Sequence, residues 1–163
     1  MGANDIIGDG KEAWFYVPAG GVANIAAPTV LEITSGIRIS QWMTIDGATG
    51  FAPETAAAAT SGIEDRTDTS IPGRVTFSNM MFRFRAQQGT DVARATLTYD
   101  TRGFVYRRKS ILATTPVSAG QKMRGFYVAF GEQVDMDYEQ NMPERWQVPL
   151  FPAGTQNVLA TVV

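Results

Sequence analysis

Ten residues, Ala27 to Gly36 (APTVLEITSG), place a single helical turn between two strand-like runs. Pro28 fixes its own φ and disfavours helix at Ala27, so the chain turns there. Thr29 is a capping residue, and Glu32 three positions later completes the spacing of a capping box. Gly36 is expected to close the turn in a left-handed conformation. GIRISQWMTIDG follows at once, and its Ile37 and Ile39 alternate with Arg38 and Ser40, the pattern of a half-buried strand.

Strand signals recur along the chain. Lys11 to Pro18 carries Trp14, Phe15, Tyr16 and Val17 ahead of a Pro-Ala-Gly-Gly turn. Val75 to Ala86 (VTFSNMMFRFRA) reads as one long strand. One of its faces holds Met80, Phe82, Phe84 and Ala86, and the other holds Asn79, Met81, Arg83 and Arg85. Thr90 or Asp91 can cap a short helix running to Tyr99, with Val92, Ala95 and Tyr99 expected inward. Gly103 opens the strand FVYRRKSIL. Phe126 to Glu139 reads as a strand pair or one long strand. Its second half sets Val134, Met136 and Tyr138 against Gln133, Asp135, Asp137 and Glu139. Trp146 to Phe151 and Gln156 to Val163 are the last strands. QNVLATVV is apolar on both faces, so it should be central in a sheet or covered by a partner.

Between these signals lies a long break from Asp46 to Arg74, with two Pro, four Gly and five acidic residues but little sustained periodicity. Ala56 to Ala59 could form a helical turn. A loop of this length is uncommon inside a compact domain and points to an arm that orders on meeting another subunit.

Composition closes several functional classes. The chain contains no Cys and no His, which excludes disulfides, zinc sites of the usual ligand types, Cys nucleophiles and His-based triads. Its formal charge of −2 offers no basic footprint for gripping nucleic acid. No apolar run is long enough for a membrane span, and MGANDIIGDGKE lacks the pattern of a secretory signal. Cations are eleven Arg and three Lys, a bias that suits planar ion pairs and interfaces as well as a GC-rich genome.

The remaining constellations are weak. A calcium loop starting at Asp135 would need Gly and Glu where Gln140 and Trp146 stand. Carboxylates sharing one exposed strand face are better read as an ion-paired surface than as a glycosidase pair. Lys109 and Ser110 are neighbours and would point to opposite faces, which defeats a Ser–Lys dyad. GDGK at residues 8–11 lacks phosphate-loop spacing. Arg102, Arg107, Arg108 and Lys109, interleaved with Phe104 and Tyr106, suit acidic partners on a neighbouring strand or subunit better than nucleic acid. No catalytic, metal or cofactor-binding residue is assigned, and no cofactor is expected.

Taken in order, APTVLEITSG, the following IRISQWMTIDG and the RGFVYRRK strand after the helix resemble the major tail proteins of long-tailed bacteriophages. The resemblance covers most of the chain. It implies a mainly β fold, a β-sandwich or partly open barrel with one short flanking helix and a long assembly loop. It also implies hexameric rings stacked into a hollow tail tube. Its partners would be the chain itself, a tape-measure protein, and terminator and tip proteins, with transient passage of DNA. The protein would be made in the host bacterial cytoplasm and reside in the virion tail. The whole of residues 1–163 is expected to form a single domain, with 46–74 as its extended loop.

Three groups of residues follow as expectations. Asp46, Phe51, Glu54, Ile63, Glu64, Asp65, Arg66, Asp68, Ile71 and Arg74 would form an inter-ring loop. Gln133, Asp135, Asp137 and Glu139 would form an acidic luminal face that repels DNA phosphate. Arg83, Arg85, Arg107 and Lys109 would be basic partners between subunits. Two alternatives are a head decoration or stopper protein, and a small β-barrel module binding a ligand or glycan along Trp14, Trp42 and Trp146.

Overall fold

The computed structural model describes residues 5–163. The order begins with β1 (Glu12–Pro18), α1 (Val30–Ser35) and β2 (Ile37–Arg38), followed by a 3-10 turn (Ile39–Trp42) and β3 (Met43–Thr49). β4 (Glu54–Ala59), β5 (Ser70–Thr76), β6 (Met81–Arg85) and α2 (Val92–Thr96) follow. β7 (Arg102–Lys109), β8 (Lys122–Phe130), β9 (Val134–Asp135), β10 (Arg145–Pro152) and β11 (Val158–Thr161) complete the chain. The fold is mainly β. Its principal sheet runs β2-β1-β7-β8-β10-β6-β3, with β11 on β8 and β9 on β10, and β4 and β5 form a separate two-stranded sheet.

The expected strand after Gly36 is cut in two. β2 pairs with β1 at one edge of the sheet, whereas β3 pairs with β6 at the other. Only the turn Ile39–Trp42 joins them, spanning about 8 Å at the rise of a 3-10 helix. The sheet therefore has to curl into a half-barrel. Ile39 is buried in the concavity. Pro149 lies within β10 where that strand changes partner, from β6 to β8. Proline has no N–H to give to a ladder, which suits such a corner.

The concave face encloses an aromatic cluster. Phe84 stacks on Trp146 at 4.7 Å between ring centroids, and Phe51 lies 4.7 Å from Trp14 and 5.3 Å from Phe82. On the opposite face of β1, Ala13, Phe15 and Val17 pack with Ile33 of α1, Tyr106, Met123, Ala160 and Val162. β1 is thus buried on both faces, which explains its unbroken WFYV run.

α1 carries the expected capping box. The Glu32 N–H donates to Thr29 Oγ1 at 3.2 Å, and the Thr29 N–H donates to Glu32 Oε2 at 2.7 Å. Gly36 departs from expectation: its φ is −80°, outside the left-handed region. It is glycine for a different reason, because a Cβ there would collide with the Tyr16 carbonyl oxygen.

Other boundaries move. Val75–Ala86 is two strands, separated where Asn79 adopts φ of 53°. The alternation of Met80, Phe82 and Phe84 inward is as expected. β11 is an edge strand on β8, so the apolar Leu159 remains 56% exposed. α2 rotates relative to its expected face. Ala93 and Leu97 are buried, while Val92, Ala95 and Tyr99 are exposed. Asp91 caps it, accepting from the Arg94 N–H at 3.0 Å, and also accepts from Trp146 Nε1 at 3.3 Å. That tie to the core aromatic sets the rotation.

Arg108 is fully buried. Its guanidinium donates to Gln121 Oε1 at 3.0 Å and to the Leu112, Ala113 and Thr115 carbonyls at 3.0, 3.2 and 2.9 Å. One side chain therefore folds the entire β7–β8 connection over the convex face. Burial pushes its pKa down, with the charge of Arg38 adding to the effect.

Ala93→Arg would bury an unpaired charge and should cost several kcal/mol, roughly 3–5. Ala95→Arg on the exposed side should change stability by less than about 0.5 kcal/mol. Urea unfolding of the two variants measures the difference, and equal midpoints would refute the α2 assignment.

Candidate functional site

The expected loop is a protruding β-hairpin. β4 and β5 pair antiparallel from Glu54↔Thr76 to Ala59↔Ser70, with a register shift between Thr55 and Ala57. Thr60 extends the ladder by donating its N–H to the Thr69 carbonyl at 2.9 Å. The Asp65 carboxylate accepts from the Gly62 N–H at 2.7 Å and tightens the tip. Every residue from 52 to 72 is exposed. Ala56–Ala59 are strand instead of helical turn, because pairing with β5 supplies the hydrogen bonds that a lone turn lacks.

The proposed arm residues divide into two sets. Glu54 begins β4, Ile71 and Arg74 lie in β5, and Ile63, Glu64, Asp65, Arg66 and Asp68 form the tip. Asp46 and Phe51 do not belong to the arm. Asp46 lies in β3 and pairs with Arg83 at 3.1 Å. Phe51 is buried in the aromatic cluster, 5.1 Å from Phe126. Phe77, beyond the other leg, packs edge-on to Phe126 at 6.2 Å. The arm is thus pinned at both roots by aromatic residues while its length stands in solvent.

The expected acidic face is not a strand face, since β9 holds only Val134 and Asp135. Alternating acids without buried apolar partners do not impose a strand. Gln133 turns inward and donates to the Arg94 and Leu97 carbonyls, both at 2.7 Å, closing the end of α2. Asp135 pairs with Arg94 at 2.7 Å and Glu139 with Arg145 at 2.6 Å. Asp137 is exposed and makes no ion pair among the described residues. Together these acids and Glu144 border a loop-lined hollow in which carboxylates outnumber arginines four to two.

The expected basic partners are mostly engaged within the subunit. Arg83 binds Asp46, Arg85 donates to the Gln41 carbonyl at 2.7 Å, and Arg107 makes two hydrogen bonds to Glu12 at 3.0 and 3.1 Å. Of the four, Arg85 and Lys109 make no ion pair among the described residues. Trp14 and Trp146 are buried and Trp42 packs against the same cluster, so the three belong to the core and do not form a common binding surface, although Trp14 also borders a hollow beside Glu12 and Arg107. Among the described residues no group of acids could hold a metal ion, and no helix is long and apolar enough to cross a membrane.

A half-barrel of this topology, with one exposed hairpin, sits within a sequence whose residues 1–163 match the family model described as Phage tail tube protein. The chain belongs to the phage tail tube protein family. It is a structural component of a virion tail, and membership implies a non-enzymatic role. The fold is similar to a chain in the cryo-EM structure of the anti-feeding prophage (AFP) baseplate, 6-fold symmetrised. The TM-score is 0.56 at 8% sequence identity, over 93% of each chain. At that identity the likeness is one of fold. No curated protein matches by sequence.

Phe51→Ala should cost about 3–5 kcal/mol, as for other buried aromatics, whereas Ile63→Ala should change stability by less than about 0.5 kcal/mol. Denaturant titration distinguishes an anchor from a tip residue. Glu12 yields a pH prediction. Burial raises its pKa, but hydrogen bonds from Arg107 and Trp14, with the charges of Arg107 and Lys109, hold it below the ordinary 4.5. The stabilisation from Glu12 is therefore complete above about pH 4.5 and is lost as pH falls through the lowered value. Acid titration of Glu12→Gln should lack that component of the wild-type stability loss.

Proposed function

We propose that this tail tube protein assembles into hexameric rings that stack into a hollow tube through which DNA passes, and that the β4–β5 arm carries the contact between rings. The observation that supports this most directly is the arm itself. It is a two-stranded sheet exposed along its length, and an isolated hairpin of that kind is at best marginally stable in water. A partner surface supplies the burial it lacks. The six-fold symmetry of the AFP baseplate structure supports the ring number.

The same reading makes the chain's partners other copies of itself, a tape-measure protein inside the tube, and terminator and tip proteins at its ends. Assembly would begin in the host bacterial cytoplasm. The acid-rich loop around Asp135, Asp137 and Glu139 would face the DNA path. Its surplus of carboxylates would repel phosphate and keep a passing duplex from sticking.

Electron microscopy of purified protein over a range of concentrations should show rings and tubes. Replacing residues 61–68 with a two-residue Asn-Gly turn should leave the fold intact and abolish tubes. Trypsin should cut the dispersed protein after Arg66 and spare it once assembled. Discrete particles at every concentration, with Arg66 equally sensitive throughout, would overturn the proposal.

A further inference from the structure

Five ion pairs tie charges together within the subunit, and two places combine charges outside those pairs with an exposed apolar side chain. The first is a groove of about 390 Å³ where β7, β8 and β11 meet, bordered by Arg107, Lys109, Lys122, Arg124, Asn157 and Leu159. Arg107 is committed to Glu12. Lys109, Lys122 and Arg124 make no ion pair among the described residues. Leu159 is directly opposite Arg124 in the register of β11 on β8, so both project from the same face of the sheet. It presents an exposed apolar side chain among these cations.

The second place is the tip of the arm. Ile63 is wholly exposed, and beside it stand the exposed carboxylates Glu64, Asp65 and Asp68, with Arg66 the one cation. Tip and groove are therefore matched. Each has one exposed branched aliphatic side chain, and their charged surroundings are of opposite sign.

We infer that the arm tip of one subunit seats in this groove of a second copy. Ile63 packs on Leu159, and Glu64, Asp65 and Asp68 meet Lys109, Lys122 and Arg124. A subunit cannot fill its own groove in this way. The hollow at the arm's root, lined by Val75 and Phe77, shares Asn157 with the groove. The arm thus leaves the body beside its own groove and carries its tip about 30 Å away, at roughly 3.3 Å per residue from Glu54 to Ile63. Because tip and groove are different patches, the contact is heterologous and repeats from copy to copy. An apolar centre excludes water, and the charged surround sets register and speeds encounter. The inference takes its setting from the tube reading and adds the receptor for the arm.

The absence of Cys allows a direct test. Ile63→Cys and Leu159→Cys proteins are mixed under assembly conditions, oxidised gently and run on a non-reducing gel. A cross-linked dimer is expected in the mixture and only at background in either variant alone. In parallel, Lys122→Glu with Arg124→Glu should raise the concentration needed for assembly at least tenfold, and combining it with Glu64→Lys and Asp65→Lys should restore it. Assembly of the unaltered protein should also weaken with salt. Tubes that form without the specific cross-link, or without charge-swap rescue, would overturn the groove assignment and leave the tube reading standing. The cross-link in discrete oligomers that never stack would uphold the groove and overturn the tube.

Discussion

Because four residues of 3-10 turn join β2 to β3, the two ends of a seven-strand path are tied about 8 Å apart. A right-handed twisted sheet can satisfy that tie only by curling. Curling creates two unlike faces. The inner one is small and strongly curved, and flat rings fill it, with Trp14, Phe51, Phe82, Phe84, Phe126 and Trp146 in mutual contact. The outer one is broader and needs a lid. α1, held to β1 by the close approach of Gly36 to Tyr16, and the connection organised by Arg108 supply it. Both covers depend on the path of β1, the strand that shares its edge with β2.

What could be read from the residues was whatever is encoded over a few neighbours. The Thr29–Glu32 capping box is local, and so is the alternation of Met80, Phe82 and Phe84, because a one-sided core imposes period two. Ile39 could not be placed the same way, since a buried residue after Ile37 suits a strand and a 3-10 turn equally. α2 has only five residues, barely more than one turn, so periodicity could not choose between Val92, Ala95 and the pair Ala93, Leu97. The choice is made by Asp91 and Trp146, which are far apart in sequence. The β4–β5 hairpin escaped notice because neither of its faces is buried, which removes the alternation by which strands are recognised. Arg108 escaped because its partners are carbonyls of a connection whose course it determines.

Electrostatics divides the molecule in a similar manner. Arg83, Arg94, Arg102, Arg107 and Arg145 each find a carboxylate within the subunit, and Arg108 is held by carbonyls and Gln121, so many of the eleven arginines serve the body. Exposed pairs of this kind contribute little stability individually, typically below 1 kcal/mol. Their stronger effect is to remove alternatives: a cation already bound to Asp46 or Glu12 is a poor partner for a neighbouring chain. The unpaired cations and the arm-tip acids then stand out as places where a second copy could register without competition. Specificity of this kind rests as much on silencing the rest of the surface as on matching the patches that remain.

The arm also separates folding from assembly. Its roots, Phe51 and Phe77, pack with the core, so the body gains their burial whether or not the hairpin meets anything. Its length gains almost nothing in the free subunit, because exposed Ala, Thr and Ser remove little surface from water while the ordered backbone still costs entropy. Ile63 and Ile71 contribute burial only against a partner. A subunit built this way reaches its folded state without committing to association. On the proposed assembly, the first contact between copies would bear the cost of holding an arm in place, whereas later copies would meet arms and grooves already held by their neighbours. That difference would favour extending an existing array over starting a new one, the behaviour that the proposed tube requires.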